Sequence, residues 1–235
     1  MDAIIKINDV TKDYGQGDVI VHALRGISLN IEHGEFTAMA GPSGSGKSTL
    51  LNIIGGMDKP TSGTVEVDGN HVVSMSMSQL SRLRRDKIGF VFQNYSLMPV
   101  LTAIENAEYV LMLQGMKAKE RYEKVRDILL EVGLEGMENR FPRELSGGQQ
   151  QRVAIARAIA SEPVLVLADE PTANVDSKTG GALMDLMRNL NEEKGITFFM
   201  STHEKAVMER AKRLLVLKDG LIEYDGNPGE GINLV

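Results

Sequence analysis

No other stretch of this chain restricts its fold as strongly as Gly41-Pro42-Ser43-Gly44-Ser45-Gly46-Lys47-Ser48. The octapeptide has the form G-x-x-x-x-G-K-[ST]. It stands between a short apolar run, 36–40, and a segment of helical character, 47–54. Glycines let such a loop curl until successive N–H groups point inward, with no Cβ to keep a tetrahedral anion away. The helix that follows turns its positive end to the same point. The pattern predicts a strand–loop–helix unit that cradles phosphate groups. Gly41, Pro42, Ser43, Gly44, Ser45, Gly46, Lys47, Ser48 and the adjoining Thr49 are its candidate nucleotide-binding residues. The Lys47 ammonium can reach β- and γ-phosphates, and the Ser48 hydroxyl can ligate Mg²⁺.

A second acidic element stands downstream. Val164-Leu165-Val166-Leu167-Ala168-Asp169-Glu170 reads as a buried strand that ends in two carboxylates. Such an ending is common by itself and gains meaning from the phosphate loop upstream. Asp169 falls where Mg²⁺ needs an outer oxygen ligand. Strand alternation sends the Glu170 side chain elsewhere, which makes it the candidate to orient and deprotonate an attacking water.

The rest of the chain frames these sites. Its 235 residues suffice for one large α/β domain with an inserted subdomain. A 42% hydrophobic and 25% charged composition is that of a globular chain and not a disordered one. Having no cysteine excludes disulfides and thiolate metal sites and fits a reducing cytoplasm. The net charge of −6 argues against nucleic acid as a main partner. No apolar run nears the roughly 18 residues of a membrane span, and the N-terminus lacks the basic start and apolar core of a signal peptide. Alternation at Ile5, Ile7 and at Ile27, Leu29, Ile31 predicts half-buried strands. Further strands are expected at 63–69, 88–92 and 197–201, and a closing hairpin around Asp219-Gly220. Between them, 102–114, 119–131 and 147–161 read as helices, and 177–194 as another. The pattern describes a β-rich nucleotide core with a helical subdomain inserted at about 93–160.

Leu145-Ser146-Gly147-Gly148-Gln149 narrows the reading further. Ser146-x-x-Gln149 is a capping-box pattern ahead of an apolar run. Two glycines at a helix start cost stability, which makes sense if the exposed N–H groups must approach an anion closely. With this motif the chain resembles the ATP-binding-cassette family along essentially its whole length. The resemblance implies a P-loop (RecA-like) α/β core with an N-terminal antiparallel β subdomain and an inserted helical subdomain. It makes 1–235 a single domain, with the core in 1–92 and 161–235.

The resemblance also implies that Ser146 and Gly148, with Gly147 and Gln149, meet the γ-phosphate held by another subunit. ATP with Mg²⁺ would then complete a head-to-tail homodimer. Gln93 resembles the glutamine that ligates Mg²⁺ and leads into the helical insertion. His203 resembles the histidine that touches the γ-phosphate. Asp176, in Ala173-Asn174-Val175-Asp176, resembles the loop that couples the two sites, although leucine is commoner at position 175. Tyr14 resembles the aromatic that stacks on adenine, with a core or turn tyrosine as the rival reading. His22, His33 and His71 receive no role.

Finer similarity comes from Gly56-Met57-Asp58-Lys59-Pro60-Thr61-Ser62-Gly63 and from Arg84-Arg85-Asp86-Lys87-Ile88-Gly89-Phe90-Val91-Phe92-Gln93. Both look like the lipoprotein-release and macrolide-export subfamily. That points to an ATPase on the cytoplasmic face of the membrane, working with a separate permease to export or release cargo. An importer subunit, a cassette ATPase acting on ribosomes or DNA, and an idle regulatory subunit are the alternatives. Among lesser features, the methionines, Met112 and Met116 included, read as core packing or as an adaptable contact surface. Arg82-Leu83-Arg84-Arg85 reads as a solvated helix face or a contact for lipid head groups.

Overall fold

Apolar alternation at the start of the chain becomes two long paired strands, β1 (Ala3–Gln16) and β2 (Val19–Glu32). Ile5 faces Ile31 and Ile7 faces Leu29, so one face of the pair is continuously aliphatic. The computed structural model describes residues 3–16 and 19–232. Then follow β3 (Phe36–Ala40), α1 (Lys47–Ile54), β4 (Ser62–Val67), β5 (Asn70–His71), α2 (Met77–Lys87) and β6 (Ile88–Val91). Three helices come next, α3 (Ala103–Leu113), α4 (Ala118–Glu131) and α5 (Gly147–Ile159). The chain then alternates through β7 (Leu165–Asp169), α6 (Ser177–Lys194), β8 (Thr197–Thr202) and α7 (Lys205–Met208). It closes with β9 (Arg213–Lys218), β10 (Leu221–Gly226) and α8 (Pro228–Gly231).

The strands form two sheets. One is antiparallel, in the order β2-β1-β4-β5; the other is six-stranded, in the order β10-β9-β3-β8-β7-β6. Strands β9, β3, β8, β7 and β6 run parallel, and only β10 is antiparallel to its neighbour. Strands buried on both faces read as near-continuous apolar runs, as β3, β7 and β8 do. Residues Leu50, Ile53 and Ile54 of α1 share a buried cluster with Ile5, Ile7 and Leu29 of the first sheet and Phe199 and Leu215 of the second. Helix α1 is therefore fixed between the sheets, with the phosphate loop at its start. Asp219 and Gly220 both have positive φ, 48° and 78°, as a tight β9–β10 turn needs.

Strands β6 and β7 are neighbours, yet α3, α4 and α5 lie between them in sequence. These helices pack Ala107, Leu111, Val125, Leu129 and Val153 into the second core cluster, which continues into the six-stranded sheet. The buried Asn106 carboxamide holds the entry to α3, donating to the carbonyls of Met98, Leu101 and Thr102 and accepting from the Met98 amide. Thr102 and Glu105 form a capping box at the same place.

Two details were left open by the sequence reading. The basic stretch 82–85 belongs to α2, where Leu83 enters the core and Arg84 donates to the Gly56 carbonyl at 2.7 Å. Met112 is 44% exposed, whereas Met116 packs against the core. Among the described residues no helix is long and apolar enough to cross a membrane.

Candidate functional site

Strand β3 delivers the chain to the loop 41–46 at the carboxyl edge of the parallel sheet. Gly46 has φ +107°, and a Cβ on it would stand 2.5 Å from the Ala23 carbonyl oxygen. The loop is thus wedged against β2 in a conformation that only glycine holds without strain. Helices α2, α3, α5 and α6 begin with side-chain caps from Ser76, Thr102, Ser146 and Asp176. Helix α1 has none, which leaves its first-turn N–H groups open to an anion.

The buried Lys47 ammonium donates to the carbonyls of Gly41 (2.7 Å) and Pro42 (3.0 Å). Burial lowers its pKa, opposed by the nearby charges of Glu170 and Asp169. A cleft of about 210 Å³ opens here, lined by Ser43, Gly44, Gly46, Lys47, Ser48, Thr49 and Glu170 on one side and 21–23 of β2 on the other.

Two oxygen groups suited to Mg²⁺ meet beside the cleft. The Ser48 hydroxyl donates to Asp169 Oδ1 at 3.1 Å. Neutral hydroxyl and carboxylate oxygens are the donor types that Mg²⁺ takes, in small number, alongside substrate phosphate and water. No group of three or more His, Cys, Asp or Glu that could hold a metal occurs among the described residues. Ser201 of β8, fully buried, donates to the same Asp169 oxygen and accepts the Glu170 amide at 3.0 Å.

Glu170 leaves the strand differently than alternation suggests. Its φ is +47°, so the turn into left-handed backbone, as well as the strand's pleat, aims the side chain. His203 Nδ1 lies 3.1 Å from its Oε1.

None of the remaining candidates lines the 210 Å³ cleft. Gln93, exposed, follows β6, and its carbonyl accepts from the Asn174 carboxamide at 2.8 Å. The Tyr14 hydroxyl donates to Asp58 at 2.7 Å, and Lys12 stands over its ring, 4.6 Å from the centroid. Burial, then the Asp58 hydrogen bond, raises the Tyr14 pKa, with the Thr49 hydroxyl opposing. Ser146 and Gln149 form a reciprocal capping box at the start of α5. Asp176 caps α6; the Thr179 hydroxyl, then its amide, hold the Asp176 carboxyl below its usual range. Neither Ser146–Gln149 nor Asp176 lines the 210 Å³ cleft. Ser201, Lys12, Asp58, Tyr95 and Asn174 carry contacts that the sequence reading did not assign. Only strand register and loop packing bring them to the site.

Residues 24–173 match the protein family described as ABC transporter. The chain belongs to the ABC transporter family. It is an ATPase cassette of that family, binding ATP with Mg²⁺ and hydrolysing it to ADP and phosphate. This cassette is 49% identical over 226 residues to MJ0796 of Methanocaldococcus jannaschii, named an uncharacterized ABC transporter ATP-binding protein; the match covers 94% of this chain and 96% of the relative. It is 45% identical to the macrolide export ATP-binding/permease protein MacB of Mannheimia succiniciproducens. There the match covers 94% of this chain and 34% of that longer protein. Among solved structures, a dimeric post-hydrolysis state of MJ0796 bound to ADP and Pi superposes with a TM-score of 0.89 at 47% identity. That superposition covers 95% of this cassette and 98% of the other.

Proposed function

We propose that this cassette hydrolyses ATP as a head-to-tail homodimer and energises the export or extracytoplasmic release of a lipophilic, peptide or lipoprotein cargo through a separate permease. The arrangement of Lys47, Ser48, Asp169, Glu170 and His203 around one loop carries the reading. The cleft's 210 Å³ is below the roughly 300–1,000 Å³ of pockets that enclose a drug-sized ligand. A nucleotide seated in it keeps part of its surface for a second subunit, and the segment Ser146–Gln149 is suited to supply the cover. The MacB relative's name joins an ATP-binding part and a permease in one protein, which supports a permease as the partner here. A groove of about 380 Å³, lined by Ile88, Phe90, Phe92 and Leu113 together with Arg84, Arg85 and Arg157, is suited to a short segment of that permease.

The chemistry divides among the chain's own groups. The open N–H groups of α1 and the Lys47 ammonium hold the phosphates and offset the charge that builds on transfer. Ser48 and Asp169, joined by Gln93, would hold Mg²⁺, which would supply charge neutralisation for the phosphates. Glu170, aimed by His203, orients the attacking water and accepts its proton. Closure of two subunits excludes bulk water, and loss of the bridging phosphate lets the pair open against the permease.

The test is Glu170→Gln. It is expected to bind ATP, to turn over poorly and to accumulate as a closed dimer with ATP and Mg²⁺, read by sedimentation. Turnover equal to the parent chain overturns Glu170 as the base.

A further inference from the structure

Three segments with different assigned roles meet at one tyrosine hydroxyl. Tyr95 lies two residues after Gln93, and its Oη donates to the Asn174 carbonyl at 3.0 Å. The Asn174 carboxamide returns two bonds, to the Gln93 carbonyl at 2.8 Å and to Asn94 Oδ1 at 3.2 Å. The same Tyr95 oxygen occupies the space beside Gly147, where a Cβ would come within 2.7 Å of it and 3.3 Å of the Asn174 carbonyl. Gly147 is therefore small for a reason inside its own subunit: it accommodates Tyr95.

The loop that presents Tyr95 is held in an uncommon shape. Tyr95 and Ser96 are consecutive non-glycine residues with φ of 58° and 48°. Side-chain-bearing residues adopt this backbone only where their surroundings impose it. Here the Arg157 guanidinium imposes it, donating to the Ser96 carbonyl at 2.5 Å and the Tyr95 carbonyl at 2.9 Å. Arg157 belongs to α5, the helix that Gly147 begins, and it also lines the groove beside Phe92. Two residues after Asn174, Asp176 caps α6, and Thr179 of that cap packs against Gly148.

We propose that Tyr95 and Asn174 are positioning residues that lock the Gln93 loop, the Gly147–Gly148 turn and the 173–176 loop into one unit, so that a change at Gln93 moves the surface offered to the partner's cleft. The inference rests on the two-subunit reading above. Its physical basis is that the hydroxyl and the carboxamide make the only side-chain hydrogen bonds between the Gln93 loop and the 173–176 loop among the described residues. Without them a strained turn and a coupling loop relax separately, and two sites that act together become two that act alone.

Tyr95→Phe removes the hydroxyl and keeps the ring. Asn174→Ala removes the carboxamide from the other side. Both variants and their combination are made in the full chain. Each is assayed for steady-state ATP turnover against ATP concentration and for equilibrium binding of a fluorescent ATP analogue at dilutions where the chain is monomeric. Monomer binding is expected to stay within about twofold of the parent chain. The maximal rate should fall about 5- to 20-fold and the Hill coefficient toward 1, with the double variant no worse than either single. A rate and Hill coefficient equal to the parent chain overturn the proposal. So does a loss confined to monomer binding, or effects of the two substitutions that simply multiply. Glu170→Gln, run beside them, separates the two readings. If it fails to trap a dimer, the two-subunit reading falls; if it traps one while Tyr95→Phe behaves as the parent, only the coupling role falls.

Discussion

The Nδ1 atom of His203 stands 3.1 Å from Oε1 of Glu170, joining the residue that follows β8 to the residue that follows β7. Glu170 sits in left-handed backbone, and the imidazole is the hydrogen-bond partner of its carboxylate. His203→Ala is expected to lower single-turnover hydrolysis by about 10- to 100-fold, the size of a misplaced general base. ATP binding should remain. A rate equal to the parent chain would mean that the backbone turn alone aims Glu170.

Ser201 connects the two acids from beneath. Its hydroxyl donates to Asp169 and accepts the Glu170 amide, so Ser201→Ala removes a bond from each at a fully buried position. The expected loss is about 1–3 kcal/mol of unfolding free energy, measured by urea titration. Turnover should fall further than ATP affinity, since the phosphate loop is untouched. An equal fall in both would place Ser201 in nucleotide binding instead.

Tyr14 depends on a charge cluster for its position. Burial raises the pKa of Asp58, but hydrogen bonds from Lys12, Tyr14 and the Lys59 amide outweigh it and hold the carboxyl below its ordinary 3.8. Between the folded and unfolded values the unfolded chain binds more protons, so stability rises with pH across that interval. The contribution is complete above the unfolded value and disappears as pH falls through the folded one. Asp58→Asn should therefore be less stable than the parent chain at neutral pH, by about 1 kcal/mol for a partly buried pair. The two should converge under strong acid, as urea midpoints measured across that range will test. ATP affinity of the variant should fall several-fold at neutral pH as the Tyr14 ring loses its support.

How much could be read beforehand varied with the range of the interaction. The architecture was legible because it is written locally. The apolar alternation of Ile5 and Ile7, the continuous runs of β3, β7 and β8, and the Asp219-Gly220 turn each announce an element within a few residues. Lys47, Ser48, Asp169 and Glu170 stood out because a glycine loop and an acid-ended strand are local patterns too. Ser201 did not, because its importance comes from the register that sets it opposite Asp169 across two parallel strands. Asp58 could not be connected to Tyr14 either, 44 positions away. Tyr95 belongs to no local pattern, and only the packing of α5 shows why Gly147 leaves room for it. The aim of Glu170 was only partly legible for a related reason: alternation holds within a strand, and the residue lies just past its end in left-handed backbone.

Strand β3 lies between β8 and β9, pairing with 198–202 on one side and 213–216 on the other. In a chain made from its N-terminus on the ribosome, residues 36–46 emerge long before either neighbour exists. The glycine loop, whose shape depends on those neighbours, can take form only once the last strands leave the exit tunnel. A nascent fragment that stops short of residue 213 contains every group assigned to the chemistry but lacks β9, the strand that flanks β3 and meets the loop at Gly41.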